Sequence, residues 1–307
     1  MNEHHRSGGS LNRWCRTILC LATVGGSTIG CTKPDADKQA NANPTTTHRA
    51  ELGDTDTPSA MDAPCPLGMA HLKTYCIDRH EAHLVLAESP ATIHPPYERP
   101  HPGQQYRAAT APGKAPQAYI NRHEAEQACK NSGKRLCTAR EWQQACKGPT
   151  GTSYPYGELE IAGRCNTGKP HLPTKLFGSA AKYNMRAVFS DPRLNQTPGF
   201  LGKTGEYSGC VGQYGVFDLV GNLHEWVADP VSRTLANEIA MSRAAQHLGK
   251  RGNGVFLGGY FSSRGEHGRG CEYVTTHHAP HYHDYSIGFR CCADANTVRG
   301  REARRGW

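Results

Sequence analysis

Amphipathic helical spacing is confined to two segments of this chain. In the first segment, Asn121 and Glu124 have the spacing of a helix N-cap, and Gly133 ends the helical pattern. The apolar positions between them share one helical face: Ala125, Ala128 and Cys129. This segment therefore predicts an amphipathic helix with one buried face.

The second helical segment follows soon after that glycine. Thr138 and Glu141 form a capping box, and we expect the helix to run through Cys146. Trp142 falls on its buried side. No other stretch of the chain has a convincing helical period.

Short alternating or apolar runs bounded by turn residues predict strands instead of further helices. The best candidates are residues 75–78, 215–219, 255–261 and 286–292. The 34 glycines fall mostly between these runs, which indicates long irregular loops. The pattern predicts one α+β domain with few helices, short strands and much irregular structure.

The N-terminus has the pattern of an export signal. Arginines precede the short apolar run 17–30, which is too short to span a bilayer and ends in small residues. Gly30 before Cys31 resembles a bacterial lipobox, so residues 1–30 are a predicted signal peptide and Cys31 a predicted lipidation site. Thr32 then favours the periplasmic side of the outer membrane. The alternative is an ordinary cleaved signal with Cys31 as a plain thiol.

Composition divides the remainder of the chain. Residues 31–61 are rich in Thr, Pro, Asp, Ala and Asn and predict a flexible, lipid-anchored tether. Residues 62–294 form the predicted domain, and 295–307 are a basic tail. The net charge of +8 is concentrated at the two ends of the chain. Because the chain is predicted to be exported, we expect no nucleic-acid partner and a membrane contact through the lipid.

Cysteine content points to disulfides. Of the 13 cysteines, ten lie after residue 61. An even number in an exported chain, without any CxxC pair, favours disulfides over a structural zinc site. The sequence leaves their connectivity open.

Four sequence blocks occur in an order that resembles a known family. They are DRHEA at 78–82, GKRLCTAREWQQAC at 133–146, GNLHEWVAD at 221–229 and GFRC at 288–291. Together they resemble the domain of formylglycine-generating enzymes, the sulfatase-modifying factors. The resemblance implies that family's fold, a variant of the C-type lectin fold.

The resemblance also implies where oxidase chemistry belongs. Active members hold copper(I) with two cysteines, and soft thiolates suit that ion. Counted from the Gly258-Gly259 strand, those positions fall on Ser263 and Gly268. Neither residue supplies a thiolate, and Cys271, three residues on, is expected to enter a disulfide. We therefore expect no copper centre and no cysteine-oxidising activity.

Structural calcium is the metal that the resemblance does imply. Its ligands would be Asn166, Asn222, the main-chain oxygen of Leu223, and Glu225, all oxygen donors that suit a hard cation. The alternative is that Asn222 caps a turn and Glu225 pairs with an arginine. The HE pair at 224–225 is not a zincin motif, because Ala228 stands where a second histidine is required.

A histidine-rich loop, His277–His283, precedes the GFR block. Such loops bind zinc, copper or iron, and relatives of this fold that make ergothioneine use a three-histidine iron. The alternative is a polar loop whose histidines hydrogen-bond to the backbone. His80, His83 and His123 are interpreted as ordinary surface or hydrogen-bonding residues.

Three classes of function follow from these observations. The first is an envelope binding module whose pocket residues are Arg264, Glu266, Tyr273 and His278, with a peptide, glycan or protein as ligand. The second is a metal-dependent enzyme that uses the histidine loop. The third is a sulfatase maturase with relocated thiols. The absence of the family's cysteine pair favours the first class, the envelope binding module.

Overall fold

The computed structural model describes residues 64–179, 184–241 and 248–295. The predicted signal peptide, Cys31, the tether and the basic tail from residue 296 lie outside the described residues. Within the described part of the chain, no helix is long and apolar enough to cross a membrane.

The first predicted helix is confirmed as α1, Arg122–Asn131. The Asn121 side chain accepts a hydrogen bond from the Glu124 amide at 3.0 Å, and the Glu124 carboxylate accepts one from the Asn121 amide at 2.9 Å. The three predicted apolar positions are the buried face of the helix. That face packs against strand Tyr106–Ala109.

The second predicted helix is confirmed as α2, Ala139–Lys147. Its capping box is formed by Thr138 and Glu141, and Trp142 is completely buried. The helix ends at Gly148, where a φ of 64° breaks the helical backbone.

Four shorter helices and one 3-10 turn complete the described helical structure. The helices are α3 Leu172–Phe177, α4 Met185–Phe189, α5 Arg193–Gln196 and α6 Leu235–Glu238, and the 3-10 turn is Gly270–Glu272. Each is six residues long or shorter, which is too short to produce a helical period in the sequence.

The strands of the described residues are also short. They are β1 Met69–Leu72, β2 Tyr75–Asp78, β3 His83–Leu86, β4 Tyr106–Ala109, β5 Arg135–Leu136, β6 His224–Pro230, β7 Gly254–Leu257, β8 Val274–Thr275, β9 Ile287–Phe289 and β10 Cys291–Asp294. One sheet has the order β1-β2-β10-β5, a second consists of β3 and β4, and a third has the order β8-β7-β6-β9. The β6–β9 pair is parallel and the others are antiparallel.

The strand predictions had mixed outcomes. Strand 75–78 is confirmed as β2. The predicted strand 255–261 ends at Leu257, because Gly258 and Gly259 have φ values of 86° and 75°. The predicted strand 286–292 is interrupted at Arg290, which separates β9 from β10.

The strand predicted over 215–219 is wrong. Within this segment only Phe217 forms an isolated bridge, to Val211. Gly215 and Asp218 have φ values of 69° and 59°, in the left-handed region that a strand does not use. The segment is therefore a loop.

Strand β6 runs between two hydrophobic clusters. Trp226 packs with Phe256 and Phe289 on one side, whereas Val227 packs with Trp142 on the other. Successive strand residues point to opposite faces, so the first four residues of β6 are buried on both sides, whereas Pro230 at its end is exposed. Because β6 lies between these clusters, the residues next to it in the chain are held in defined positions.

Five disulfides pair all ten cysteines of the described residues. The pairs are Cys65–Cys76, Cys129–Cys291, Cys137–Cys292, Cys146–Cys271 and Cys165–Cys210. Two of them link strand β10 to the helical segments around residues 129 and 137. The prediction of a disulfide-stapled domain is confirmed, including the one expected for Cys271.

Candidate functional site

Glu225 forms a buried ion pair with Arg290. Arg290 Nε and Nη2 donate to the two carboxylate oxygens of Glu225 at 2.6 and 2.7 Å. Trp142 Nε1 donates to one of the same oxygens at 2.7 Å. Both charged side chains are 1% exposed. The contacts therefore agree with the alternative interpretation, in which Glu225 pairs with an arginine.

Arg290 also connects the first sequence block to the last. Its remaining donors reach the main-chain oxygens of Asp78 at 3.0 Å and Phe217 at 2.8 Å. The Asp78 carboxylate accepts hydrogen bonds from Lys134 Nζ and the Cys291 amide. Residues from all four blocks thus meet in one buried network, which holds the fold together.

Asn222 belongs to a second buried network. Its backbone has a φ of 58°. Its side-chain oxygen accepts hydrogen bonds from Asn166 Nδ2 and the Gly202 amide, both at 2.8 Å. Its side-chain nitrogen donates to Glu81 Oε2 at 2.6 Å. Asn166 Oδ1 is buried and has no hydrogen-bond partner among the described residues.

The calcium ligands implied by the resemblance are only partly assembled. Asn166 and Asn222 lie together, but Glu225 directs its acceptors to Arg290 and Trp142. Its charge is already neutralised by the guanidinium, so Glu225 does not fit the ligand set. In the described segments no group of three or more His, Cys, Asp and Glu side chains is placed to hold a metal ion.

The two oxidase positions are occupied by residues with structural roles. Ser263 is 5% exposed, and its hydroxyl oxygen accepts a hydrogen bond from the Tyr260 amide at 2.9 Å. Gly268 has a φ of 125°, and a Cβ there would overlap the main-chain oxygen of Glu272. A cysteine therefore does not fit at Gly268 without a shift of the backbone.

These two residues line a cleft of about 280 Å³, which we call the glycine-loop cleft. Tyr154, Arg264 and Tyr273 also line it. Arg264 is exposed, so this predicted binding residue lies at the surface of the cleft.

A second cleft, of about 260 Å³, lies beyond Tyr273, which lines both. We call it the aromatic cleft because six aromatic rings line it: Phe189, Phe256, Tyr260, Tyr273, Tyr282 and Tyr285. Glu266 and His278 line it too. The structure therefore brings three of the four predicted binding residues to one cleft and places Arg264 at the other.

Two carboxylates face the aromatic cleft. Glu266 accepts hydrogen bonds from the Arg264 amide at 2.7 Å and the Tyr273 hydroxyl at 2.8 Å. Asp284 is 6% exposed and accepts hydrogen bonds from the Tyr282 hydroxyl and from Ser286, each at 2.7 Å.

The ionisation of these carboxylates differs. Burial raises the pKa of Glu266, but the hydrogen bonds from Arg264 and Tyr273 outweigh it and hold that pKa below its usual value. Glu266 is therefore ionised at neutral pH. Burial raises the pKa of Asp284, and its hydrogen bonds reverse only part of that effect.

Three of the histidines that line the cleft are neutral at neutral pH. Burial lowers the pKa of His224 well below its ordinary value and also lowers the pKa of His171 and His278. The His224 ring lies 4.8 Å from Phe256 and 5.0 Å from Tyr260, measured between ring centroids. His224 therefore acts here as an aromatic wall.

The histidine loop does not converge on one point. His277 and His281 are exposed, whereas His278 stacks on Tyr282 with a centroid distance of 4.0 Å. His283 buries an Nδ1 atom that lacks a hydrogen-bond partner in the described segments. The loop contributes a ring to the aromatic cleft, and its contacts give no geometry for a metal centre.

Sequence reasoning missed most walls of the aromatic cleft. Phe189, His224, Phe256 and Tyr285 come from four separate segments of the chain. No local pattern connects them, because only the fold brings these segments together. The density of aromatic and histidine residues over 273–285 was the one usable signal.

Comparisons with known proteins agree with the sequence blocks. The model of the Sulfatase-modifying factor enzyme 1-like domain matches residues 73–295. Among solved structures, PvdO from Pseudomonas aeruginosa is 17% identical, with 72% of this chain and 80% of that chain covered and a TM-score of 0.39. CarF is 16% identical, with 73% and 87% covered and a TM-score of 0.40. Treponema denticola variable protein 1 is 14% identical, with 75% and 92% covered and a TM-score of 0.45.

Proposed function

The chain belongs to the Sulfatase-modifying factor enzyme 1-like domain family, and from that premise we propose that it is an exported binding module without the family's oxidase activity. In this proposal Cys31 carries a lipid, and the domain is displayed on the periplasmic side of the outer membrane. The tether 31–61 then holds the domain away from the membrane surface. The physiological ligand is a peptide, glycan or protein of the cell envelope, or a small molecule that is part of the envelope.

The state of the thiols is the observation that carries this proposal. A copper(I) oxidase of this type needs two thiolates at a fixed separation, and Ser263 and Gly268 supply none. Cys271 is bonded to Cys146, so its sulfur is not a thiolate either. The other cysteines of the described residues are also paired.

The aromatic cleft supports the binding role. It joins aromatic ring faces to several histidines and two carboxyl groups, so it is a more polar version of the mixed lining of small-molecule sites. Glu266, Tyr273 and His278 are the residues that we assign to ligand contact there. Arg264 stands at the mouth of the glycine-loop cleft and would contact a ligand that extends beyond Tyr273.

Calcium is proposed as a structural ion with a smaller protein ligand set than the resemblance implies. The unpartnered Asn166 Oδ1 supports the proposal, since a buried acceptor without a donor suits a hard cation. Asn222 and the main-chain oxygen of Leu223 are the other proposed donors, and the Asn222 side-chain oxygen would exchange its hydrogen bonds from Asn166 and Gly202 for the ion. Glu225 is left out, because its ion pair with Arg290 satisfies it.

Alkylation without a reductant tests the proposal. The protein is purified from the membrane fraction, treated with iodoacetamide under denaturing conditions, and mapped by mass spectrometry. We expect no alkylation at any of the ten cysteines from Cys65 to Cys292, whereas prior reduction labels all of them. Alkylation of Cys271 in the unreduced sample would contradict the proposal, because a free thiol would then lie close to the oxidase positions.

A further inference from the structure

The aromatic cleft has an ionised carboxylate, Glu266, that forms no ion pair within the described residues. None of the lining residues is a lysine or an arginine; His224 and His278 have lowered pKa values, and His267 also lines the cleft, with its ring 5.6 Å from that of Tyr273. Neither Glu266 nor Asp284 forms an ion pair within the described residues. Their hydrogen bonds all come from uncharged donors.

A carboxylate removed from water is stabilised most by a positive charge at close range. Glu266 lies at the exposed rim of the cleft, and Asp284 lies at its buried end with 6% of its surface exposed. A cation that enters the cleft would be attracted by the ionised Glu266. Among the lining residues the nearest source of positive charge is the His267 imidazole, so a permanently charged ligand would be the stronger counter-charge.

The ring faces of the cleft select the kind of cation. Tyr260 lies 5.9 Å from Tyr285, with the two rings nearly perpendicular, and 5.0 Å from His224. These rings pack against one another and form a continuous aromatic wall of the cleft, and the negative faces of aromatic rings attract organic cations. A strongly hydrated inorganic ion would gain little there, since it prefers several oxygen ligands.

Two further polar groups of the lining have incomplete contacts. His224 Nδ1 and Thr275 Oγ1 are buried and have no hydrogen-bond partner in the part of the chain that the structure describes. Each side chain is only 6% exposed. Native buried polar atoms usually have partners, so these two mark a place where water or a ligand completes the set.

We propose that the aromatic cleft binds a small organic ammonium ion, with Glu266 as its counter-charge, the Asp284 carboxyl as a further polar group, and the tyrosine and histidine rings as its aromatic wall. The volume of about 260 Å³ is near the lower end for small-molecule sites and suits a group the size of choline or ethanolamine. This inference rests on the proposed binding function and names its ligand class. The ammonium group comes either from a free amine or from a lipid headgroup.

Calorimetric titration of the full-length protein in a maltoside detergent tests the inference. Choline and ethanolamine are the charged probes, and 3,3-dimethylbutan-1-ol is the uncharged isostere of choline. We expect at least one of the charged probes to bind with one-to-one stoichiometry, and choline to bind roughly tenfold more tightly than its isostere. Equal affinity for choline and the isostere, or no binding of either charged probe, would overturn the inference.

Two variants locate the binding site. Glu266→Gln removes the counter-charge at the rim and should weaken the binding of the charged probes several-fold while leaving the isostere unaffected. Glu126→Gln, on the surface of α1, makes the same change in net charge elsewhere and should leave every affinity unchanged. Equal losses in both variants would contradict the assignment of the site.

Vesicles distinguish the two sources of the ammonium group. The Cys31→Ser protein, which lacks the predicted lipid attachment, is sedimented with phosphatidylcholine, phosphatidylethanolamine or phosphatidylglycerol vesicles. Retention by either of the first two, but not by the third, identifies a headgroup; binding of the free amines alone identifies a soluble ligand. Formylglycine production would refute the proposed function without altering these titrations, so the two failures are distinguishable.

Discussion

Cys271 is bonded to Cys146, and this disulfide ties the 3-10 turn Gly270–Glu272 to helix α2. Cys271 is the thiol nearest in sequence to the two positions where the family's copper ligands are expected. The same bond that secures the loop therefore removes the thiol that would rescue the oxidase chemistry. The disulfide at Cys271 thus both stabilises the loop and prevents thiolate chemistry there.

The buried pair of Glu225 and Arg290 should dominate the response to mutation. Glu225→Gln removes the only carboxylate that contacts the guanidinium among the described residues, so we expect a loss of about 3–5 kcal/mol in the free energy of unfolding. The double variant Glu225→Gln/Arg290→Met should recover part of that loss. Urea denaturation at neutral pH measures both.

The exposed pair of Glu126 and Lys130 is the matched control. Glu126→Gln should cost less than about 0.5 kcal/mol, since exposed helix pairs contribute little. Similar losses in Glu225→Gln and Glu126→Gln would show that the buried network does not hold the fold together.

Asp218 should make stability depend on pH in a defined direction. Burial raises its pKa to about 6 from 3.8, while its hydrogen bond from the Gly205 amide opposes that shift. The folded state then binds the proton more tightly than the unfolded state. This contribution to stability is complete below pH 3.8 and is lost as the pH rises through 6.

Asp218→Asn isolates that contribution, because asparagine tolerates the left-handed backbone and keeps an oxygen acceptor. Between about pH 4 and pH 7 the wild-type free energy of unfolding should fall relative to the variant by on the order of 1–3 kcal/mol. Urea denaturation across this range checks it. If the free energy of unfolding changed with pH in the same way in the wild type and the variant, Asp218 would have the same pKa in the folded and unfolded states, which would contradict the prediction.

Calcium should raise the melting temperature by a few degrees over the value in EDTA, because a ligand that binds only the folded state stabilises it. Asn166→Ala should remove this response. Glu225 variants are unsuitable for this test, because they remove the ion-pair partner of Arg290 whether or not calcium is present. Identical melting curves with calcium and EDTA would leave Asn166 as a residue that only holds Asn222.

The predicted lipid at Cys31 should determine where the protein resides. Cys31→Ser should release the protein into the soluble periplasmic fraction, while Cys20→Ser, within the predicted signal peptide, should not. Fractionation with immunoblotting measures the distribution. Unchanged membrane association of Cys31→Ser would contradict lipid anchoring.

The sequence blocks predicted the family and fold correctly, as the match over residues 73–295 confirms. Capping residues such as Thr138 and Glu141 predicted helix starts, because these contacts are local in sequence. The prediction of a strand at 215–219 failed because Gly215 and Asp218 adopt a left-handed backbone, which these residue types permit but do not require. Local patterns thus fixed the helices better than the loops.

The candidate site was less predictable for a different reason. Glu266, Tyr273 and His278 lie close together in the sequence, on either side of the short strand β8, so their proximity could be predicted. His224 and Phe256 reach the same cleft from strands β6 and β7, and only the strand pairing sets that distance. The choice between an arginine and a calcium partner for Glu225 likewise needed the position of Arg290, 65 residues away in sequence.

The proposed function requires that this family member binds a ligand but does not oxidise cysteine. Incubation with a sulfatase-derived peptide tests that requirement. The peptide, the purified protein, copper and a reductant are incubated in air, with an active family enzyme as the positive control. Mass spectrometry follows the conversion of the peptide's cysteine to formylglycine. We expect the positive control to convert the peptide and this protein to leave it unmodified. Formylglycine formed by this protein would contradict the account and would point to an oxidase centre that does not use Ser263 and Gly268.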